Sequence, residues 1–170
     1  MTSSIALLRA VNVGGTGKLS MSELRAMGGE VGFTDPRTCL ASGNVCFSSR
    51  LGETAVRKKL EQRLLACAGK QVAVFIRSAE QMTQVLADNP FAQAPRNRVV
   101  AIFHNAAPDP SALAEIRHLT VEHVACGTLE IYVHYGDAMA NSRLVIPAVK
   151  AGTARNMHTV ARLAKLAAGR

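Results

Sequence analysis

A glycine-rich loop near the start of the chain is the first segment whose residue types could bind a ligand. It runs from Asn12 to Lys18 as NVGGTGK. Main-chain N–H groups close to a helix N-terminus and a lysine suit a bound anion. The spacing does not match a nucleotide-triphosphate loop, because that pattern needs glycine at Asn12 and a hydroxyl residue at Leu19. The loop therefore indicates either magnesium-free anion binding or a strand-to-helix turn. Its candidate ligand-binding residues are Asn12, Gly14, Gly15 and Lys18.

Two arginines, one near each end of the chain, are further candidates. Arg9 interrupts the apolar run SIALLRAV, where a buried guanidinium costs several kcal/mol, on the order of 3–5, unless it is paired. Arg155 and Asn156 lie at the start of the last predicted helix, which Thr153 can cap. Arginine binds carboxylates and phosphates through two parallel hydrogen bonds. Either these residues have structural partners, or they converge in a cleft between the two halves. The proposed cleft residues are Arg9, Asn12, Arg155 and Asn156.

The segment Ser42-Gly43-Asn44 is first of all a predicted hairpin turn, because Gly and Asn tolerate positive φ. Ser42 and Asn44 are also candidate ligand-binding residues. A turn centred on Ser42 and Gly43 would place Cys39 opposite Cys46, and we expect these thiols to stay reduced.

The cysteines and histidines show no spacing typical of a metal site, so we expect no metal ion and no cofactor. His158 could act as a base in the last helix, but no nucleophile can be placed beside it, and a solvated histidine is favoured. His104 and His134 lie at predicted strand ends and suit packing or surface positions. The sequence assigns no catalytic residue.

The chain carries a formal charge of +8, which favours anionic partners. Residues 1–77 hold eleven Lys and Arg against five Asp and Glu, so most of the excess lies in the first half. A basic helix face contains Arg57, Lys58, Lys59 and Arg63. Because aromatic residues are few and the aromatic pattern of RNA-recognition modules is absent, nucleic acid is a less favoured partner than a small anion.

The chain is long enough, at 170 residues and 48% hydrophobic, to build a real core. It begins without a basic leader and has no uncharged apolar run of membrane-spanning length. We therefore expect a cytoplasmic protein with free thiols and no membrane partner. The oligomeric state is not encoded in any pattern that we can identify.

Hydrophobic periodicity predicts the order β-α-β-β-α-β in the first half. Ser20 and Glu23 form a capping box that starts a helix near Met21, and this helix should end or fray at Gly28 and Gly29, before Gly32 turns the chain. The predicted strands are 4–11, 37–40, 45–48 and 71–77, and the second helix spans 53–67.

The second half is predicted to repeat this order with helices at 79–87, 111–119 and 155–168 and strands at 98–104, 121–126 and 129–135. An irregular closing strand is expected at 144–149. The fold class is therefore α+β, with two ferredoxin-like β-α-β-β-α units whose antiparallel sheets pack against helices. We expect residues 1–78 to form the subdomain that carries the glycine-rich loop, and residues 79–170 to form the second, with the C-terminal helix.

Three segments together resemble a bacterial family known as a domain of unknown function, number sixteen ninety-seven in its series. They are IALLRAVNVGG followed by KLSMSELR, TCLASGNVCF, and TARNMHTVARLAKLA. With Asn89-Pro90-Phe91 between them, the resemblance runs in order over essentially the whole chain. The chain departs from the family pattern at Ala10, Ala41 and Met157, where Gly, Gln and Trp are common.

The resemblance implies a pair of ferredoxin-like halves, in agreement with the periodicity, but it brings no established activity, cofactor or catalytic residue. Three hypotheses follow. The favoured one is a small module that binds an anionic small molecule in the cleft between the halves. The alternatives are an enzyme of unknown reaction in that cleft or a nucleic-acid-binding protein that uses the basic first half.

Overall fold

The computed structural model describes residues 1–9, 20–39 and 43–169, without the side chains of Met21 and Cys39. The chain divides into two compact units. Unit 1 comprises Met1–Met82 and Leu163–Arg170, and unit 2 comprises Thr83–Arg162. Each unit holds one four-stranded antiparallel sheet, which confirms the α+β class.

Unit 1 follows the order β-α-β-β-α-β predicted from the sequence. Its elements are β1 (Thr2–Leu8), α1 (Met21–Glu30), β2 (Thr34–Cys39), β3 (Asn44–Ser49), α2 (Glu53–Ala68) and β4 (Val74–Ser78). The sheet order is β2-β3-β1-β4, and each neighbouring pair is antiparallel. This is the ferredoxin-like arrangement, in which β1 lies inside the sheet.

One face of the unit 1 sheet forms a core with both helices. Ala6 and Leu8 of β1 are buried there with Leu24 of α1 and Leu60 of α2. Burial of each leucine contributes about 1.5–3 kcal/mol, so these apolar stripes hold both helices on this face. Beyond this core, Ile5 and Leu7 on the other face of β1 are fully buried too. This explains why β1 is apolar at every position from Ile5 to Leu8 instead of alternating.

Helix α1 does not end at its two glycines, contrary to prediction, but continues to Glu30. A Cβ atom on Gly28 would lie 2.9 Å from Pro36 Cβ and 3.2 Å from Phe33 Cδ2, whereas one on Gly29 would meet nothing within 4 Å. The missing side chain of Gly28 therefore allows β2 to lie close to the helix. Packing of the helix outweighs the glycine penalty of about 1 kcal/mol.

Unit 2 and the segments that join it to unit 1 contain the remaining elements. They are α3 (Ala79–Ala87), β5 (Val99–Phe103), β6 (His123–Cys126), β7 (Glu130–His134), β8 (Thr153–Asn156) and α4 (Met157–Ala168). The boundary between the units falls within α3 and within α4. The sheet order is β6-β7-β5-β8, which repeats the strand order of unit 1.

The connections in unit 2 differ from the prediction. Instead of a helix at 111–119 there is one short 3-10 helix, Pro110–Leu113. The irregular strand expected at 144–149 is reduced to a single bridge between Val145 and Arg117. The closing strand is β8, which pairs with β5.

A buried carboxylate explains why these connections hold without helices. Glu122 accepts hydrogen bonds from the main-chain N–H of Thr120 and from the hydroxyl of Ser142. It thereby ties the connection before β6 to the connection after β7. These hydrogen bonds lower the pKa of Glu122 to about 2, so the carboxylate is ionised at neutral pH.

No helix among the described residues is long and apolar enough to cross a membrane.

Candidate functional site

Arg9 lies at the end of the unit 1 sheet where β1 stops. The N–H of Leu8 donates to the Gly43 carbonyl oxygen at 2.9 Å, and the N–H of Arg9 donates to the Ala73 carbonyl oxygen at 3.0 Å. Arg9 is therefore held between the segments that lead into β3 and β4. Exposed Lys70 belongs to the second of these segments. The strand predicted at 4–11 is too long, because β1 ends at Leu8 and Arg9 follows it.

Arg9 is a half-buried residue. Along residues 1–9, 20–39 and 43–169 its guanidinium forms neither a hydrogen bond nor an ion pair, in contrast to Arg37 and Arg63, which pair with Asp35 and Glu30. A partly desolvated cation without a partner is unfavourable, and it is also available for a carboxylate or phosphate. Within the described residues, internal pairing of Arg9 is thus not supported, and its role as a ligand residue stays a prediction.

The second candidate segment at this end of the sheet is the hairpin between β2 and β3. Gly43 has φ of +74°, which explains the glycine, whereas Asn44 is the first residue of β3 and is fully buried. Cys39 pairs with Asn44 and Arg37 pairs with Cys46, so the expected Cys39–Cys46 register is wrong. Cys39 thus pairs two residues earlier on β3 than expected. Cys46 is buried.

Several predicted site residues lie outside the described residues. They are Asn12, Gly14, Gly15, Lys18 and Ser42. Their part in a ligand site stays a prediction.

The start of α1, after the glycine-rich loop, is occupied by its own cap. The hydroxyl of Ser20 accepts from the Glu23 N–H at 3.1 Å, and the Glu23 carboxylate accepts from the Ser20 N–H at 2.7 Å. The capping box predicted from the sequence is confirmed. These hydrogen bonds hold the pKa of Glu23 below its usual range, so a negative charge already stands at this helix N-terminus. An anion site here therefore depends on Arg9 more than on the helix.

The C-terminal candidates lie on a strand and not, contrary to prediction, at the start of a helix. Arg155 belongs to β8, where it pairs with Ala101, and α4 begins only at Met157. The cap is Asn156, whose Oδ1 accepts from the Thr159 N–H at 2.9 Å, and not Thr153. Pairing with β5 extends the backbone at Arg155 and so delays the helix.

Arg155 is only 8% exposed, and its guanidinium has partners in its own strand. Its Nη1 donates to the Thr153 hydroxyl and to the Ala154 carbonyl oxygen, each at 2.8 Å. Burial lowers the pKa of Arg155 to about 10, which leaves the group charged at neutral pH. These contacts support a structural role for Arg155.

A second buried arginine, Arg77, was missed by sequence reasoning. It is 1% exposed and lies on β4, opposite Ile5 of β1, as Arg155 lies on β8 opposite Ala101 of β5. Its Nη1 donates to the carbonyl oxygen of the preceding residue, Ile76, at 2.9 Å. The fourth strand of each sheet thus carries a buried arginine with the same local hydrogen bond. The only signal was an arginine that ends the apolar run QVAVFIR.

Residues 1–132 match the model of the family described as a protein of unknown function, DUF1697. The chain belongs to this family. No curated protein matches it. Among solved structures, it is similar to conserved bacterial protein SP0830 from Streptococcus pneumoniae, with 22% identity, a TM-score of 0.80, and 98% of each chain covered. At that identity the likeness shows a shared fold.

The match confirms the family to which the sequence resemblance pointed, whereas the third resembling segment lies beyond the matched residues and stays a prediction. Met157, at which the sequence resemblance leads us to expect Trp, is the first residue of α4 and is buried. A smaller, flexible side chain fills this interior position in the present chain.

The histidines give no support to an acid–base pair among the described residues. Both ring nitrogens of buried His104 lie near main-chain carbonyl oxygens, those of Ile102 at 3.2 Å and Ala148 at 3.0 Å. His158 is exposed on α4. His104 thus has the surroundings of a packing residue.

Proposed function

We propose that the chain is a binding module for an anionic small molecule, and that Arg9 provides its principal contact. The observation that carries the proposal is that Arg9 is half-buried and that its guanidinium has no hydrogen bond or ion pair within the described parts of the chain. Its main-chain anchor to Ala73 fixes its position at the end of β1. The ligand class is a carboxylate or phosphate, the anions whose geometry matches a guanidinium.

The charge distribution of unit 1 supports this assignment. The first 77 residues carry most of the excess positive charge, which raises the local concentration of anions. Exposed Lys70 lies three residues before Ala73, the residue that holds the Arg9 backbone. Asn12, Gly14, Gly15 and Lys18 follow Arg9 closely in the sequence, and Ser42 immediately precedes Gly43, so their participation in the site remains part of the proposal.

Arg155 and Asn156 have a weaker case as ligand residues. Arg155 has protein partners at 2.8 Å, and the Asn156 side chain caps α4. Their convergence with Arg9 is a prediction from the sequence and stays one. The proposal accordingly does not depend on them.

A thermal-shift screen tests the proposal with nucleotides, phosphorylated metabolites, dicarboxylates and short oligonucleotides as probes. We expect at least one small anion to raise the melting temperature, and Arg9→Ala to abolish that rise. Arg25→Ala is the matched control, because Arg25 is an exposed arginine of the same unit on α1 and its loss changes the net charge equally. An equal loss in both variants would reduce the effect to general charge and contradict an Arg9 site.

The same screen separates the alternatives. Lys58 and Lys59 are exposed on α2, so a nucleic-acid-binding protein would show salt-sensitive binding of oligonucleotides that a Lys58→Gln, Lys59→Gln variant loses. That result, with no response to small anions, would contradict the proposed function and support nucleic-acid binding instead. Turnover of any stabilising anion, followed by mass spectrometry of the mixture, would point to an enzyme instead.

A further inference from the structure

Two histidines of unit 2 face each other across neighbouring strands. His123 is the first residue of β6, His134 is the last residue of β7, and the register pairs them directly. Their ring centroids are 6.1 Å apart, and the ring planes are inclined by 22°. Directly opposed residues of an antiparallel pair project to the same face, so both imidazoles stand on one side of the sheet. His123 is exposed and His134 is half-buried.

A phenylalanine lies against both rings. The Phe91 centroid is 5.7 Å from that of His134 and 6.3 Å from that of His123. Phe91 follows α3, whose Val85 carbonyl oxygen accepts a hydrogen bond from Tyr132 on the same face of β7. The apolar ring restricts how the His134 imidazole can turn and shields one side of the pair from water.

We propose that His123 and His134 form a two-histidine site for a divalent transition-metal ion such as Ni²⁺, Cu²⁺ or Zn²⁺. Imidazole is the nitrogen ligand that these borderline ions prefer in proteins, and two imidazoles on one face can share an ion. Metal–nitrogen bonds of about 2.0–2.1 Å require the ring centroids to approach by roughly 1 Å from their present separation. Rotation of the exposed His123 side chain supplies that approach.

The surroundings define what kind of site this is. Among residues 1–9, 20–39 and 43–169, no group of three or more His, Cys, Asp or Glu side chains could hold a metal ion. The ion therefore keeps open positions for water or an external ligand, which distinguishes the pair from a closed structural zinc site. Near β7, the guanidinium of Arg98 is paired with Asp137 at 3.2 Å and donates to the Gly136 carbonyl oxygen, which limits its repulsion of a bound cation.

The spacing of His123 and His134 in the sequence does not indicate that they form a pair. The two histidines are eleven positions apart, an interval that matches no metal-ligand motif. Only the β6–β7 register brings them together. This is why a sequence that predicts no metal ion is compatible with a chelating pair on the folded surface.

Calorimetric titration of the untagged protein with NiCl₂ and ZnCl₂ tests the proposal. The Cys67→Ser variant serves as the background, because Cys67 is an exposed thiol that could bind soft ions itself. We expect one Ni²⁺ or Zn²⁺ per chain, with affinity that falls about tenfold or more in either His123→Gln or His134→Gln. MgCl₂ should give no binding, because Mg²⁺ prefers oxygen ligands.

His158→Gln and His118→Gln are the matched controls, since both histidines are exposed elsewhere. Both variants should bind Ni²⁺ with unchanged affinity. His123→Gln decides the question even if His134→Gln fails to fold, because His123 is exposed and its loss leaves Phe91 and His134 in contact. With Cu²⁺, electron paramagnetic resonance should show two coupled imidazole nitrogens, and one nitrogen in His123→Gln. Unchanged Ni²⁺ affinity in His123→Gln, an equal loss in His158→Gln, or no binding of any of the three ions would overturn the proposal.

Discussion

Alanine substitutions at the two adjacent glycines of α1 should change the stability of the protein in opposite directions. Gly29 lies inside the helix, and nothing lies within 4 Å of the position that an added methyl group would take, so alanine there only removes the conformational freedom of glycine. The gain is up to about 1 kcal/mol, and about half of that is expected so near the helix end.

Gly28→Ala should give the same gain in helix propensity, but the added methyl group would lie too close to β2 and the residue before it. The new Cβ would stand 2.9 Å from Pro36 Cβ and 3.2 Å from the ring of Phe33. Phe33 cannot easily yield, because its ring stacks on Phe47 with centroids 3.9 Å apart. Overpacking of this kind costs about 1–3 kcal/mol, so we expect a net loss of roughly 0.5–2.5 kcal/mol.

Urea unfolding followed by far-ultraviolet circular dichroism measures the difference. The two variants should differ by about 2 kcal/mol in the free energy of unfolding, with similar dependence on urea concentration. Gly32→Ala is not a suitable control, because φ of +88° strains any other residue there. Equal stabilisation by Gly28→Ala and Gly29→Ala would refute the close approach of α1 and β2.

Three further predictions concern unit 2 and its helices. Asn156→Ala should destabilise the protein by about 1 kcal/mol in urea unfolding, because Asn156 caps α4, whereas Asn156→Asp should retain most of the stability. Tyr132→Phe should cost about 1 kcal/mol through the lost hydrogen bond to Val85. Burial, with the charges of Glu130 and Asp88, raises the pKa of Tyr132, so its stabilising contribution is present below pH 10 and is lost as the pH rises further. Thermal melts from pH 8 to 11 should show a smaller loss of stability in Tyr132→Phe than in the wild type, and not its complete absence, because burial raises the pKa of Tyr135 as well. Hydrogen bonds from Ser142 and Thr120 lower the pKa of Glu122 from 4.5 to about 2. The contribution of this carboxylate to the free energy of unfolding is therefore present above pH 4.5 and is lost towards pH 2. Ser142→Ala should make the melting temperature depend less on pH over this acid range.

The strand order and most elements were predictable because they depend on local patterns. The helical spacing of Val56, Leu60 and Leu64 predicted α2 at 53–67, and α2 spans Glu53–Ala68 with those residues buried. The Ser20 capping box likewise marks a helix start from four residues. Each of these patterns lies within a short segment of the sequence, so it predicts its element without knowledge of tertiary contacts.

The misplaced elements were those that tertiary contacts decide. The segment 111–119 has enough apolar residues for a helix, yet Arg117 bridges to Val145, and Glu122 ties the two connections together. Arg155 looks like the first residue of a helix until its pairing with Ala101 is known. Neither partner can be identified from the local sequence.

In the candidate site, too, the sequence predicts what depends on local pattern and not what depends on tertiary contacts. The sequence marks Arg9 as an unusual residue at the end of an apolar run, and the structure places it half-buried beyond β1. The sequence does not distinguish Arg9 from Arg77. Arg77 ends a similar apolar run, but its guanidinium donates to the Ile76 carbonyl oxygen in its own strand. Side-chain partners, which depend on three-dimensional packing, separate a binding candidate from a structural arginine.

The most direct test of the Arg9 site is a titration of ¹⁵N-labelled protein with inorganic pyrophosphate, followed by two-dimensional NMR. The account predicts saturable shifts at the Arg9 side-chain Nε–H and at the amides of Leu8, Gly43 and Ala73, which line this end of the sheet. These shifts should persist in Arg25→Ala and vanish in Arg9→Ala. Shifts centred on Lys58 and Lys59, or the same shifts in Arg9→Ala, would contradict it.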